Sequence, residues 1–158
     1  MRDLTDFATI AATKPPEQVF AALQWLVQAE VGAMIFSCST FDLAAGKSRR
    51  VHTNMPDIYP VSGLKDITAN AWTRVVLEER KTFVANSLAE ICGVFPDHEL
   101  IGSLGCGSVI NMPVFLAGRF MGTVNVLHEP GYYRAERVAR LQELQPAAML
   151  AFGCFALG

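Results

Sequence analysis

The amino-acid sequence predicts a single α+β domain, and three observations support that fold class. The chain has 158 residues, of which 51% are hydrophobic and 18% charged, so one well-packed core is expected. Apolar residues recur at helical spacing towards both ends of the chain. Between them lie short runs with the alternation and the turn residues of β-strands. The predicted order is helix, two strands, helix, strand, irregular loop, two strands and helix.

The first strong helix is predicted to begin at Pro15 and Pro16, because proline lacks the amide hydrogen that the first helical turn leaves unpaired. Residues 3–12 have only a weak helical or irregular pattern. We therefore divide the chain into an N-terminal lead-in, residues 1–15, and a single domain, residues 16–158. The apolar stripe of the first helix consists of Val19, Phe20, Leu23, Leu26 and Val27.

Strands are predicted at residues 33–41, 48–53 and 82–86, and residues 87–104 are expected to form a mixed loop with short helical turns. The basic run at residues 47–50 is interpreted as a solvated hairpin end.

Two further helices are expected. A middle helix, capped by Asp66 or Thr68, should run to about Arg80 with Trp72 on its inner side. A terminal helix should cover residues 132–155. Because proline removes one helical hydrogen bond, a break is expected at Pro146. The last strands belong to residues 105–129, GCGSVINMPVFLAGRFMGTVNVLHE, where a hairpin turn is indicated at Leu116-Ala117-Gly118.

This hairpin resembles the central hairpin of GAF domains. The resemblance rests on Ser108, on Met112-Pro113-Val114, on Gly118 and on the run Gly122-Thr-Val-Asn-Val. The element order agrees with the GAF layout over roughly residues 16–155. The resemblance implies an antiparallel sheet with the N- and C-terminal helices on one face and a ligand pocket on the other.

Side-chain alternation divides the hairpin into two faces. A three-residue loop with Gly118 in the left-handed conformation would place Asn111 opposite Thr123 and Val109 opposite Asn125. That face is of mixed polarity and suits a ligand. The other face is almost entirely apolar and suits helix packing; it holds Ser108, Ile110, Met112, Val124 and Val126.

Eight residues are candidates for ligand contact. Paired amides can donate and accept hydrogen bonds for a polar ligand, and aromatic side chains can form a wall for a flat one. The alternative is that the amides bond to backbone or water and that the aromatic residues are ordinary packing. The candidates are Tyr59, Trp72, Asn86, His98, Cys106, Asn111, Thr123 and Asn125.

A thiol enzyme is a second hypothesis, with Cys106 or Cys92 as nucleophile and His98 beside it. Cysteine is also often buried as a small hydrophobic residue, and we expect this of Cys38 and Cys154. The cysteine and histidine spacing does not match a zinc signature, so no metal site is predicted.

Free-methionine-(R)-sulfoxide reductases provide the enzymatic comparison. The run Phe95-Pro96-Asp97-His98 resembles their Phe-Pro-Gly-His run. Their reactive cysteine would fall at Ile101 of this chain, and their second cysteine at Ser62, before Gly63. Both thiol positions are therefore missing.

Composition and charge restrict the partners. A formal net charge of −2 argues against nucleic-acid binding. No secretory signal is visible, so a cytoplasmic location is expected. The apolar run at residues 146–157 is too short to cross a membrane. Its apolar character predicts a homodimer formed through the terminal helices.

The leading interpretation is therefore a stand-alone, non-catalytic GAF domain that binds a small molecule as a sensor or regulatory module, with no particular cofactor indicated. The first alternative is the thiol-dependent reductase of a small oxidised metabolite. The second is a protein-interaction module whose pocket is filled by bulky side chains, for which the candidates are Phe36, Phe83, Met112 and Met121.

Overall fold

The computed structural model describes residues 3–61 and 63–158, and their strands form one antiparallel sheet. The strands are β1 (Ile35–Asp42), β2 (Lys47–Thr53), β3 (Leu64–Asp66), β4 (Phe83–Ala85), β5 (Ser108–Leu116) and β6 (Arg119–His128). Their order across the sheet is β3-β2-β1-β6-β5-β4. The longest strands, β1, β5 and β6, therefore lie at its centre.

Helices cover both faces of this sheet. They are α1 (Leu4–Thr13), α2 (Pro16–Glu30), α3 (Ala71–Thr73), α4 (Leu88–Cys92), α5 (His98–Ser103), α6 (Ala135–Glu143) and α7 (Gln145–Leu157). The helices α2 and α7 pack together over one face, where Phe20, Phe36, Met112 and Phe152 form part of the main core. This arrangement confirms the predicted fold class, with the terminal helices on one face. No helix in the described residues is long and apolar enough to cross a membrane.

The N-terminal segment contributes to the same core. Asp3 caps α1 by accepting hydrogen bonds from the amides of Thr5 and Asp6. Phe7 is fully buried, and α1 packs against both α2 and α7. The division of the chain after residue 15 remains a prediction.

The terminal helix breaks as Pro146 predicts. One helix ends at Glu143 and the next begins at Gln145, which places Pro146 in the first turn of α7. A proline amide needs no helical partner there.

The middle helix begins later than the sequence predicts. Asp66 ends β3 instead of capping a helix, and it forms an ion pair with Lys47 of β2. The cap is Asn70, whose side chain accepts from the Thr73 amide at 3.1 Å. After α3 the chain continues as a π-helical segment, Arg74–Glu78. Pairing with β2 thus determined the conformation of a segment whose local residues favoured a helix start.

The predicted register of the central hairpin is wrong. The turn has two residues, Ala117 and Gly118, with φ of 51° and 76°. Asn111 therefore lies opposite Asn125, not opposite Thr123.

The predicted division of faces is nevertheless confirmed, because a β-bulge restores the alternation. Val114 pairs with Gly122 and Phe115 pairs with Phe120, which leaves Met121 as the extra residue. A two-residue turn alone would shift the pairing by one and exchange the faces. The bulge shifts the pairing by one more residue, which restores the original faces. Asn111 and Asn125 therefore lie on the face away from α2 and α7.

Candidate functional site

A cavity of about 230 Å³ lies on the face of the sheet opposite α2 and α7. Segments 65–73 and 94–97, together with Tyr59 and Ile101, form its walls. The strands form its floor through Ile35, Ser37, Ser39, Phe41, Ser48, Arg50, Val109, Asn111, Thr123, Asn125 and Leu127. The pocket therefore lies where the sequence predicts it.

The two ends of the floor are apolar. At one end, Ile35, Leu127 and Val109 are successive cross-strand partners on β1, β6 and β5. At the other end, the rings of Phe41 and Trp72 stack with centroids 5.9 Å apart. Apart from Ser48, which pairs with Phe41, the polar groups of the floor thus lie in a band between two apolar surfaces.

One row of that band is a chain of hydrogen bonds across three strands. The indole Nε1 of Trp72 donates to Asn111 Oδ1 at 2.9 Å, and Asn111 Nδ2 donates to Asn125 Oδ1 at 2.8 Å. Asn125 Nδ2 donates to the hydroxyls of Ser37 and Ser39 at 3.3 and 3.2 Å. Each amide thus has a partner for both its oxygen and its NH₂ within the row, as expected for groups that are costly to bury unpaired.

The direction of these hydrogen bonds follows from the indole. A tryptophan N–H can only donate, so Asn111 must turn its oxygen towards Trp72 and its NH₂ towards Asn125. Asn125 must then accept with its oxygen and donate with its NH₂. The serine hydroxyls at the end of the row consequently act as acceptors.

The neighbouring row contains Arg50, Ser39 and Thr123, which are successive cross-strand partners on β2, β1 and β6. Arg50 Nε and Thr123 Oγ1 are both buried, and neither has a hydrogen-bond partner among the described residues. Thr123 is 0% exposed. Unpaired polar atoms of this kind cost free energy in a folded protein, so they call for an explanation.

Arg50 is held above the floor by Tyr59 and the main chain. Its guanidinium carbon lies 4.8 Å from the centroid of the Tyr59 ring, and its Nη1 donates to the carbonyl of Pro60 at 3.3 Å. Desolvation lowers the pKa of Arg50, although a guanidinium remains charged at neutral pH. The Tyr59 hydroxyl donates to Asp97 Oδ2 at 3.1 Å, and burial is the main cause that raises the Tyr59 pKa.

Five of the eight predicted contact residues line the cavity: Tyr59, Trp72, Asn111, Thr123 and Asn125. The other three are placed differently. Asn86 brackets the main chain of Tyr133, donating to its carbonyl at 2.8 Å and accepting from its amide at 3.0 Å. His98 Nδ1 lies 3.0 Å from the Phe95 carbonyl oxygen, and Cys106 is buried in a small apolar cluster beside the cavity.

The candidate thiols are not arranged as a catalytic pair. Burial raises the pKa of the Cys106 thiol, which disfavours the reactive thiolate, whereas Cys92 is exposed at the end of α4. No hydrogen bond joins either thiol to His98 among the residues that the structure describes. Ser62, which occupies one of the reductase cysteine positions, lies outside the described residues.

No group of three His, Cys, Asp or Glu side chains that could hold a metal ion occurs in the described parts of the chain.

The sequence interpretation missed Arg50, Ser37, Ser39 and Asp97 as cavity residues. Arg50 was assigned to a solvated hairpin end, but alternation along β2 turns it and Ser48 inwards while Arg49 stays exposed. This alternation of side chains along β2 is the sequence signal that could have placed Arg50 in the cavity.

Comparisons with known proteins identify the fold. No protein-family model matches the sequence, and no curated protein sequence matches it. Among solved structures, the chain is similar to the GAF domain of the Acinetobacter phosphoenolpyruvate-protein phosphotransferase, at 12% identity and a TM-score of 0.73, covering 98% of this chain and 93% of that one.

Two further structures show the same likeness. A GAF domain/HD domain protein from Geobacter sulfurreducens has 13% identity and a TM-score of 0.71, covering 92% of this chain and 97% of that one. The phycoerythrobilin-bound GAF domain of a cyanobacterial phytochrome has 15% identity and a TM-score of 0.73, covering 98% of this chain and 94% of that one. This chain has the GAF-domain fold.

Proposed function

We propose that this protein is a non-catalytic regulatory module that senses a small molecule bound in the cavity above the sheet. The observation that carries the proposal is the pair of buried, unpaired polar atoms on the floor, Arg50 Nε and Thr123 Oγ1. A bound ligand would supply partners to both atoms. The GAF-domain fold supports the proposal by analogy, since fold alone does not determine function.

The cavity volume indicates the size of the ligand. An engineered protein cavity of about 150 Å³ holds benzene. By that measure, a cavity of about 230 Å³ takes roughly ten non-hydrogen atoms. We therefore propose a ligand of about this size.

Native mass spectrometry of freshly purified protein tests this proposal. We expect an added small mass that is lost on denaturation, and thermal stabilisation when that molecule is added back. Ser39→Phe would place a ring in the cavity and should abolish both signals. Arg49→Phe places the same ring on the exposed side of β2 and should leave them unchanged. A ligand retained by Ser39→Phe would contradict the assignment of this cavity.

The two alternative functions have less support. The thiol hypothesis lacks a paired thiolate, as described above. The filled-pocket hypothesis required Phe36, Phe83, Met112 and Met121 to occupy the cavity, but Phe36 and Met112 lie in the core under the helices. Met121 packs against that core and Phe83 packs against Phe95 beside the cavity.

We also propose a homodimer through the terminal helices. The inner side of α7 is buried against the sheet, yet Leu150 and Phe155 on the same helix are 44% and 39% exposed. Trp25 on the adjacent helix α2 is 50% exposed. Large apolar side chains exposed on neighbouring elements are typical of an interface.

Sedimentation tests the dimer. We expect a dimer at micromolar concentration, and Trp25→Glu should shift it to monomer. Leu43→Glu, at an equally exposed apolar residue of the β1–β2 turn, is the control and should remain dimeric. A monomeric wild-type chain would contradict the proposal.

We further propose a cytoplasmic location. The four cysteines, Cys38, Cys92, Cys106 and Cys154, are free thiols, which suits a reducing compartment. Recovery of the protein in an oxidising compartment after cell fractionation would contradict this.

A further inference from the structure

The two unpaired polar atoms lie in one row of the sheet. Arg50, Ser39 and Thr123 are neighbours on β2, β1 and β6, so the unpaired atoms flank Ser39 on either side. Adjacent strands are about 4.8 Å apart, so the row spans roughly 10 Å. A single small ligand can reach all three side chains.

The hydroxyls of Ser37 and Ser39 supply further hydrogen-bond donors. Because the Trp72 indole sets the direction of the neighbouring row of amide hydrogen bonds, each serine oxygen accepts from Asn125. Neither hydroxyl donates a hydrogen bond to another described residue, so each retains its hydrogen for a ligand. The polar band therefore presents donors: two serine hydroxyls, the Thr123 hydroxyl and the Arg50 N–H.

The charges around the cavity also favour an anion. Arg50 lacks an ion-pair partner within the described chain, and its charge is opposed at longer range by Asp97, which is engaged by the Tyr59 hydroxyl. At the exposed rim, Asp66 is paired with Lys47, whereas Lys65 has no ion-pair partner among the residues that the structure describes. Arg50 is thus a partly buried positive charge without an ion pair among the described residues, and Asp97 is the acidic group that acts on it.

We propose that the ligand is a small planar carboxylate with an apolar or aromatic body. Its carboxylate binds the Arg50 guanidinium and the hydroxyls of Ser39 and Thr123, because a carboxylate accepts several hydrogen bonds and matches the guanidinium fork. Its body lies against the apolar surfaces of Phe41 and Trp72. This inference rests on the proposed small-molecule function and specifies the class of ligand.

Three probes with the same ring test the charge requirement. Benzoate, benzamide and benzamidine carry an anionic, a neutral and a cationic head group and fit the cavity volume. We expect benzoate to bind at least about tenfold more tightly than benzamide, and benzamidine not to bind, in titrations followed by protein NMR.

Two variants locate the interaction. Arg50→Gln should weaken benzoate binding by about 10- to 100-fold, the range expected for a charged hydrogen-bonding partner, whereas the control Arg49→Gln should not change it. Thr123→Val removes a buried hydroxyl with little change of shape. It should raise the stability of the free protein and yet weaken benzoate binding, a combination that a purely structural role would not produce.

The outcomes separate the two proposals. If benzamide binds as tightly as benzoate, or if Arg50→Gln binds benzoate like Arg49→Gln, the carboxylate class is refuted while the cavity remains a binding site. A neutral or cationic molecule found in the cavity by native mass spectrometry would also refute the carboxylate class and leave the cavity as a binding site. If none of the probes binds and the purified protein carries no small molecule, both proposals fail.

Discussion

Replacement of Gly122 by alanine tests the geometry of the bulge that sets the pairing of the polar floor. Gly122 follows the extra residue Met121 and has φ of 152°, a conformation that L-residues rarely adopt. A Cβ atom there would lie 2.2 Å from the carbonyl oxygen of Ser39 and 2.5 Å from Cε1 of Phe152. Neither distance is tolerable, and one neighbour is backbone of the central strand β1.

The expected cost has two contributions. Backbone strain of this kind costs about 1–3 kcal/mol. Forcing an extra methyl group into a packed interior costs about another 1–3 kcal/mol. We therefore expect Gly122→Ala to lower the free energy of unfolding by roughly 2–6 kcal/mol, which corresponds to a fall in Tm of about 5–20 °C for a chain of this size.

Gly118→Ala is the matched control. Gly118 has φ of 76° at the hairpin turn, but a Cβ atom there would meet no atom within 4 Å. Only the backbone contribution of about 1–2 kcal/mol should remain.

Urea unfolding followed by tryptophan fluorescence measures both variants, with unchanged m-values expected. If Gly122→Ala is no more destabilising than Gly118→Ala, the close packing of Gly122 against Ser39 and Phe152 is wrong.

Three further predictions concern the amide row, pH and the thiols. Asn125→Ala should lower the free energy of unfolding by about 1–3 kcal/mol in urea titrations, because the Asn111 NH₂ loses its acceptor; an unchanged midpoint would contradict this row of hydrogen bonds. Burial lowers the pKa of His52, so the unfolded chain binds the proton more readily; stability should fall as pH drops below about 6.5, and His52→Gln should reduce that fall in unfolding measured from pH 7 to pH 5. In the native protein, a thiol reagent should modify Cys92 faster than Cys38 and Cys106, whose thiol pKa values burial raises; equal rates by mass spectrometry would contradict this.

Local patterns were sufficient for most of the elements. The proline pair and apolar stripe predicted α2, and Pro146 predicted the break before α7, because these effects operate within a few residues. Asp66 shows where such reasoning fails: its residue type favours a helix cap, but pairing of its strand with β2 determined its conformation.

The candidate site was predictable to the extent that alternation persists along a strand. Asn111, Thr123 and Asn125 were assigned to one face correctly even though the predicted pairing was wrong, since the two-residue turn and the bulge compensate each other. Asn86 and His98, two of the contact candidates, are not among the residues that line the cavity. Their roles are hydrogen bonds to backbone carbonyls and amides, which a residue type alone does not reveal.

The sequence by itself determined the α+β class, the positions of the central strands and the polar character of one sheet face. These follow from periodicity and turn residues, which are local properties of the chain. Only the tertiary structure decided that Arg50 reaches the same row as Thr123, and that the Trp72 indole directs the hydrogen bonds beneath it. These residues are far apart in the chain, and strand pairing and chain packing, which no local pattern encodes, bring them together.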